Sequence, residues 1–244
     1  MIENLRDFAE AMDRIASLNW VTTHRSGPTG IGKTLEDLLG IEENNIIAPD
    51  FGIYELKAAR TTDTSMLTLF TKNPLPRGAN SKLLKKYGYV SENYEHDGKV
   101  LHTTLSANRP TPISTTGRTL IIECNEKRIN IVGNDNTVEA YWDREILRKV
   151  FEKKYLHSLI YVEANARGQG RSEEFLFNIA YELSGFNYDS MIELLERGVV
   201  KIDIRIGQYP DGSTHDHGTG FRIQPQYFEE LFLVRNEVWR RKEI

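Results

Sequence analysis

The chain has 244 residues, 39% of them hydrophobic and 27% charged, and its 31 Lys and Arg against 35 Asp and Glu give a formal net charge of −4. This composition excludes disordered, fibrous and polycationic proteins and suffices for one or two domains that bury their own cores. A single Cys124 excludes an intrachain disulfide framework and a zinc site of several thiolates; no apolar run approaches the roughly 18 residues of a membrane helix, so a cytoplasmic protein is expected.

Leu5, Phe8, Met12, Ile15 and Leu18 recur at helical spacing and predict an amphipathic helix over 3–18, not a signal peptide. The glycine-rich stretch 24–32 then opens a short helix from Lys33 to Leu39, which carries Glu36 and which Gly40 ends. Short strands are expected at 46–48 and 53–58, joined by the turn Asp50-Phe51-Gly52, with another at 66–70. Between Thr64 and Ser91 there is no acidic residue, whereas Lys72, Arg77, Lys82, Lys85 and Lys86 are all positive; Pro74, Pro76 and Gly78 mark an exposed loop. The stretch 108–117 reads as a linker, which puts one lobe at 1–115 and a second at 116–244. In the second lobe, strands at 119–124, 128–132 and 138–142 form a meander, Asp143 caps a helix to about Lys154, and a strand follows at 158–163. Helices are expected near 173–183 and 188–196, then a strand at 199–206, a polar loop over 208–220 and a helical region after Pro225. The sum is a mixed α+β (α/β) fold without internal repeats.

Two motifs compete for the function. Gly27 to Thr34 fits the phosphate-cradling pattern G-x4-G-K-[ST], in which a buried parallel strand delivers glycine amides, a lysine and a magnesium-binding hydroxyl to a nucleotide. Its context argues otherwise. Residues 19–25 (NWVTTHR) are polar where such a strand is apolar, and the plain alternative is a glycine turn that caps a short helix. The kinase-like tripeptide Asp50-Phe51-Gly52 stands without a His-Arg-Asp loop anywhere in the chain. The second motif is Pro49-Asp50, four residues, then Glu55-Leu56-Lys57. On a strand, Glu55 and Lys57 leave one face while Leu56 enters the core, and Asp50 joins them from the turn. Two converging carboxylates suit a magnesium ion and a neighbouring ammonium can orient water, which is what phosphodiester hydrolysis needs. Glu36 could hold a metal water or a second ion. The plain alternative is three charged residues on a solvated strand edge.

Gly30 to Glu36 followed by Asp50 to Lys57 resembles the helix-Glu, Asp, Glu-x-Lys order of the MvaI-type restriction endonucleases, in the MutH-like branch of the PD-(D/E)XK nucleases. The resemblance implies a two-lobed fold with a central mixed sheet flanked by helices, and a type II enzyme that cuts double-stranded DNA at CCWGG with Mg2+. It also implies a monomer, products with a 5′-phosphate and a 3′-hydroxyl, and a cognate DNA methyltransferase in the same cell that is not a bound partner. By the same resemblance Asp50 and Glu55 bind the metal, Lys57 handles the water and Glu36 is an auxiliary helix carboxylate.

A sequence-specific DNA cutter must also read base edges, because phosphate contacts carry no sequence information. Arg205, Gln208, His215, Asp216, His217, Arg222 and Gln224 lie near one another among glycines. Arginine can pair with guanine O6 and N7, and aspartate can accept from the cytosine amino group. No third ligand accompanies His215 and His217, so no metal site is expected there. Lys82, Lys85 and Lys86, with the rest of the basic stretch, would contact phosphates, and Arg109 would reach the DNA from near the lobe boundary. Two other functions stay open at this point: a P-loop nucleotide-binding enzyme using Lys33 and Thr34, and a DNA-binding module whose carboxylates are structural.

Overall fold

A computed structural model describes residues 2–41, 50–61, 66–91, 98–114, 116–155 and 158–242. In chain order the elements are α1 (Leu5–Ser17), β1 (Val21–Thr22), α2 (Gly30–Leu39), β2 (Glu55–Arg60), β3 (Leu67–Thr71), α3 (Ala79–Tyr87), β4 (Tyr89–Val90), β5 (Lys99–Leu105), β6 (Thr111–Pro112) and β7 (Thr119–Cys124). They continue with β8 (Arg128–Gly133), β9 (Val138–Asp143), α4 (Arg144–Lys154), β10 (Leu159–Arg167), β11 (Glu174–Phe186), α5 (Tyr188–Glu196), β12 (Lys201–Gln208), β13 (Thr214–Ile223) and β14 (Phe232–Arg240). The expected strand at 46–48 lies outside the described residues. No helix among the described residues is long and apolar enough to cross a membrane.

These elements form two compact units, one built from 1–65, 154–187 and 225–244, the other from 66–153 and 188–224. The expected single boundary between 115 and 116 is therefore corrected: each unit is assembled from separated segments. The cause is strand pairing, since β2 finds its parallel neighbour in β10 and not in an adjacent stretch of chain.

The first unit holds a five-stranded mixed sheet in the order β1-β11-β10-β2, with β14 also paired to β11. Strand β2 runs parallel to β10, whereas β11 is antiparallel to all its neighbours. Helices α1 and α2 cover one face. Phe8, Met12, Ile15, Ile31, Leu35 and Leu39 join Leu56, Ile160, Val162, Phe175 and Phe177 in one core. Helix α1 forms where its periodicity demands, started by Asn4, whose side chain accepts from the Arg6 and Asp7 amides, although Leu18 stays exposed. On the other face Phe228, in the 3-10 turn Pro225–Leu231, sits 5.0 Å from the Tyr161 ring.

One expected helix gives way to a strand here. From Glu174 on, the residues expected as a helix over 173–183 belong to β11, in which Phe175, Phe177 and Ile179 are buried and alternate with Leu176 and Asn178; a period of two outweighs the helix formers among them. The helical region expected after Pro225 is the 3-10 helix Pro225–Leu231, and β14 follows it directly.

The second unit has two antiparallel sheets, β3-β13-β12-β5-β4 and β6-β7-β8-β9. The expected meander over 119–142 is present, and Asp143 Oδ1 caps α4 by accepting from the Glu145 and Ile146 amides at 3.1 Å. Ile202, Ile204, Ile206 and Phe221 form the buried face of the larger sheet, where the Phe221 and Phe70 rings stack at 4.5 Å. The polar loop expected over 208–220 is reduced to its first residues, because Thr214 onward pairs with β12 as strand β13.

Candidate active site and nucleic-acid interface

Strand β2 presents the first group of residues. Leu56 is buried in the helix-side core, so Glu55 and Lys57 leave the opposite face, level with Leu159 and Tyr161 of β10. Asp50 approaches from a tight turn in which Phe51 and Tyr54 exchange backbone hydrogen bonds of 3.2 and 2.8 Å. Gly52 is required there: its φ is +51°, and a Cβ would sit 2.5 Å from the Glu3 carbonyl oxygen. Phe51 anchors the turn by stacking on Phe8 at 5.6 Å.

The Leu56 amide donates to Asp50 Oδ2 at 2.6 Å, and Lys57 Nζ lies 3.6 Å from Glu55 Oε1. Burial raises the Asp50 carboxyl above its ordinary range; the Leu56 hydrogen bond opposes this and the Glu55 charge adds to it. Lys154, the last residue of α4, bears on the same charges. Although much of its side chain meets solvent, desolvation of the ammonium and then the Lys57 charge lower its pKa, while Glu55 and Asp50 oppose. Sequence reading missed Lys154, which is remote from the motif and carries no local signal.

Glu36 is half-buried on α2, the helix that packs beside β2 through Ile31 and Leu35. Among the described residues no three His, Cys, Asp or Glu side chains gather into a metal-holding group. The fit to a hard cation rests on Asp50 and Glu55: oxygen donors, one desolvated and destabilised by the other's charge, which a divalent ion would relieve.

The residues of the G-x4-G-K-T match are occupied by the fold. Lys33 Nζ pairs with Asp37 at 2.9 Å, and Thr34, fully buried, donates to the Gly30 carbonyl at 2.7 Å and accepts from the His24 amide at 2.9 Å. The carbonyls of Gly27 and Pro28 accept from Arg60 at 3.2 Å each, and Arg60 is bidentate to Glu173 at 2.7 Å on both oxygens. The preceding strand β1 has two residues and is antiparallel to β11. A phosphate cradle needs a long parallel strand and a free lysine, and this loop has neither.

The second unit presents a polar sheet face. Residues directly opposed across an antiparallel pair share a face, and His102 lies opposite Arg205, Thr104 and Gly220 opposite Asp203, Arg222 opposite Lys201, and His215 opposite Gly207. The His215 ring lies over Gly207, where a Cβ would come within 2.6 Å of it. His215 Nδ1 and Arg222 Nε are buried without a hydrogen-bond partner. His217, exposed, packs edge-on to His215 at 5.2 Å. Asp216 is engaged internally: Oδ2 accepts from Asn73 at 3.0 Å and Asn80 at 2.9 Å, and Oδ1 from the Gly218 amide at 2.8 Å. His102 and Asp203 were not among the expected residues, although the alternation Ile202-Asp203-Ile204-Arg205-Ile206 marks the face on which Asp203 lies.

Lys82 and Lys85 project from α3 into an open cavity of about 630 Å³, which Lys86, Lys99 and Arg118 also line. Lys86 is not a free cation, because it pairs with Glu139 and, at 3.4 Å, with Asp135. Arg109 is exposed in the bend after β5.

A mixed sheet whose edge strand carries Glu-x-Lys beside a turn aspartate defines a restriction-endonuclease-like protein of the PD-(D/E)XK type. Residues 9–232 match the MvaI/BcnI restriction endonuclease family, and the chain belongs to it, which makes it a DNA-cleaving hydrolase of the type II restriction class. It is similar to the solved complex of restriction endonuclease MvaI with its cognate DNA substrate, at 34% identity over 98% of this chain and 99% of that one, with a TM-score of 0.81. It is also similar to MvaI in the absence of DNA, at 34% identity over 98% of each chain, with a TM-score of 0.61. No curated protein matches.

Proposed function

We propose that the chain is a magnesium-dependent enzyme that acts as a monomer on double-stranded DNA at CCWGG, leaving a 5′-phosphate and a 3′-hydroxyl. The observation that carries this reading is the meeting of Asp50, Glu55 and Lys57 at the edge of the sheet, in a chain of this family. The likeness to MvaI bound to cognate DNA supports DNA as the ligand. The unit that contains β2 would cut and the unit that contains β12 would read. The work would be done in the cytoplasm, alongside a methyltransferase that protects the host's own sites.

Asp50 and Glu55 would hold the divalent ion, which when bound supplies neutralisation of the charge that develops on the phosphate. Lys57 Nζ donates a hydrogen bond to the attacking water and turns its lone pair toward phosphorus for in-line displacement. Lys154 adds positive potential beside the paired carboxylates and so offsets their repulsion. Glu36 supports this site from α2 as an auxiliary carboxylate.

On the reading side, Arg205 and Arg222 pair with guanine, and His215 and His217 contact base edges. Asp216 holds that segment in place and offers Oδ1 toward a cytosine amino group. Lys82, Lys85, Lys86 and Arg109 contact phosphates.

The test is incubation of plasmid DNA with the purified protein, with and without magnesium, alongside Asp50→Ala. Discrete fragments that need both magnesium and Asp50, with ends mapping to CCWGG, are expected. Cutting that Asp50→Ala leaves unchanged would overturn the reading.

A further inference from the structure

We propose that Asp203 is a positioning residue for base recognition: one buried carboxylate that fixes two arginines, Arg205 and Arg222, at a set spacing so that their outward nitrogens meet neighbouring guanines. The inference rests on the nuclease reading given above and assigns the organisation of its reading face. Asp203 has 2% of its side chain exposed, and a carboxylate is kept in such a place only where it is paired and hydrogen-bonded.

Its partners come from three adjacent strands. Thr104 Oγ1 donates to Oδ1 at 2.8 Å, Arg205 Nε donates to Oδ1 at 3.2 Å and Oδ2 at 3.0 Å, and Arg222 Nη1 lies 3.3 Å from Oδ2. The anchor therefore engages Arg205 through Nε and not through its terminal nitrogens. Those side chains are 45% and 34% exposed, so the charge they do not spend on Asp203 faces outward.

The charge count points to the ligand. One carboxylate serves two guanidiniums, with Lys201 on the same face, which leaves positive charge over that strip. Gly207 and Gly220 lie in that strip and are covered by side chains of the same face, Gly207 by the His215 ring and Gly220 by Arg222. Guanine offers two acceptors, O6 and N7, on one edge, and two guanidiniums tied to one carboxylate are close enough to serve consecutive guanines.

The test uses duplexes of the site that the protein cuts, with each guanine replaced in turn by 7-deazaguanine, which lacks the N7 acceptor. Single-turnover cleavage is measured for the wild-type protein, Asp203→Asn and Thr104→Val, with thermal melts to confirm folding. The wild-type protein should lose roughly tenfold or more in rate at the guanines that the arginines read. Asp203→Asn should cut the unmodified site more slowly and lose most of that discrimination. Thr104→Val, which removes one donor and no charge, should fall between, and it carries the test if Asp203→Asn does not fold. A 7-deazaguanine penalty equal to that of the wild-type protein in the folded variants overturns the role of Asp203 while the nuclease reading stands. A wild-type protein that cuts no specific site overturns both.

Discussion

Replacement of Arg60 by methionine tests how the glycine-rich loop is held to the sheet. Arg60 makes a fork-to-fork contact with Glu173, Nε to Oε1 and Nη2 to Oε2 at 2.7 Å each, with side chains only 10% and 12% exposed. Its remaining donors reach the Pro28 and Gly27 carbonyls, and the guanidinium lies 5.2 Å from the Phe175 ring. Removal of the guanidinium leaves a desolvated carboxylate, which costs about 3–5 kcal/mol. The two carbonyl contacts add roughly 0.5–1.5 kcal/mol each, less where water replaces the donor. The total, about 4–8 kcal/mol, is a large share of a domain's usual stability of about 5–15 kcal/mol and corresponds to a fall in melting temperature on the order of 8–32 °C. Urea and thermal unfolding should be compared for Arg60→Met, Glu173→Leu and the double variant. Because two apolar side chains of similar volume replace a buried pair at little cost, the double variant should recover most of the loss. A double variant as unstable as the sum of the single ones would refute the coupling.

Other outcomes follow from single contacts. Burial raises the Asp50 carboxyl, so the folded metal-free protein binds that proton more tightly than the unfolded chain and loses stability as pH rises through and above 3.8. Asp50→Asn should therefore melt higher than the wild-type protein at pH 7 without divalent ions, show no advantage below pH 3.8, and gain less from magnesium; a lower melt at pH 7 would refute this. Lys33→Ala should lose at most about 0.5 kcal/mol, keep its DNA cleavage and show the same lack of ATP binding by calorimetry as the wild-type protein. Thr34→Val removes a buried hydroxyl that bridges a carbonyl and an amide, and urea unfolding should register a loss of about 1–3 kcal/mol. Lys82→Ala and Lys85→Ala should each reduce the slope of log binding constant against log salt by about 1, read by fluorescence anisotropy.

Local chemistry made part of this molecule legible. Helix α1 announces itself by the spacing of its apolar residues, and Asp50, Glu55 and Lys57 sit within eight residues, so one turn and one strand bring them together. The rest depends on partners distant in the chain. Residues 173–183 contain good helix formers, and pairing with β10 and β14 on either side decides in favour of the strand that their period of two allows. The glycines near 207–220 suggested a loop, yet Gly207 serves a strand by leaving room for the His215 ring. The louder G-x4-G-K-T motif misled for a related reason: its residues are chosen for a tight helix entry, and the long-range clamp from Arg60 and Glu173 cannot be read from the loop itself.

The order of strands along the chain has a consequence for synthesis. Strand β2 is an edge whose supporting neighbours β10, β11 and β14 are translated roughly a hundred residues or more after it, the kind of distant pairing that forms late in folding. A nascent chain that has already emerged past Lys57 thus carries the side chains proposed to cut with nothing to hold them in register. Premature termination, an arrested ribosome or proteolytic loss of the later segments would each leave β2 without the neighbours that hold it, so the proposed cutting site is assembled only once those strands are in place.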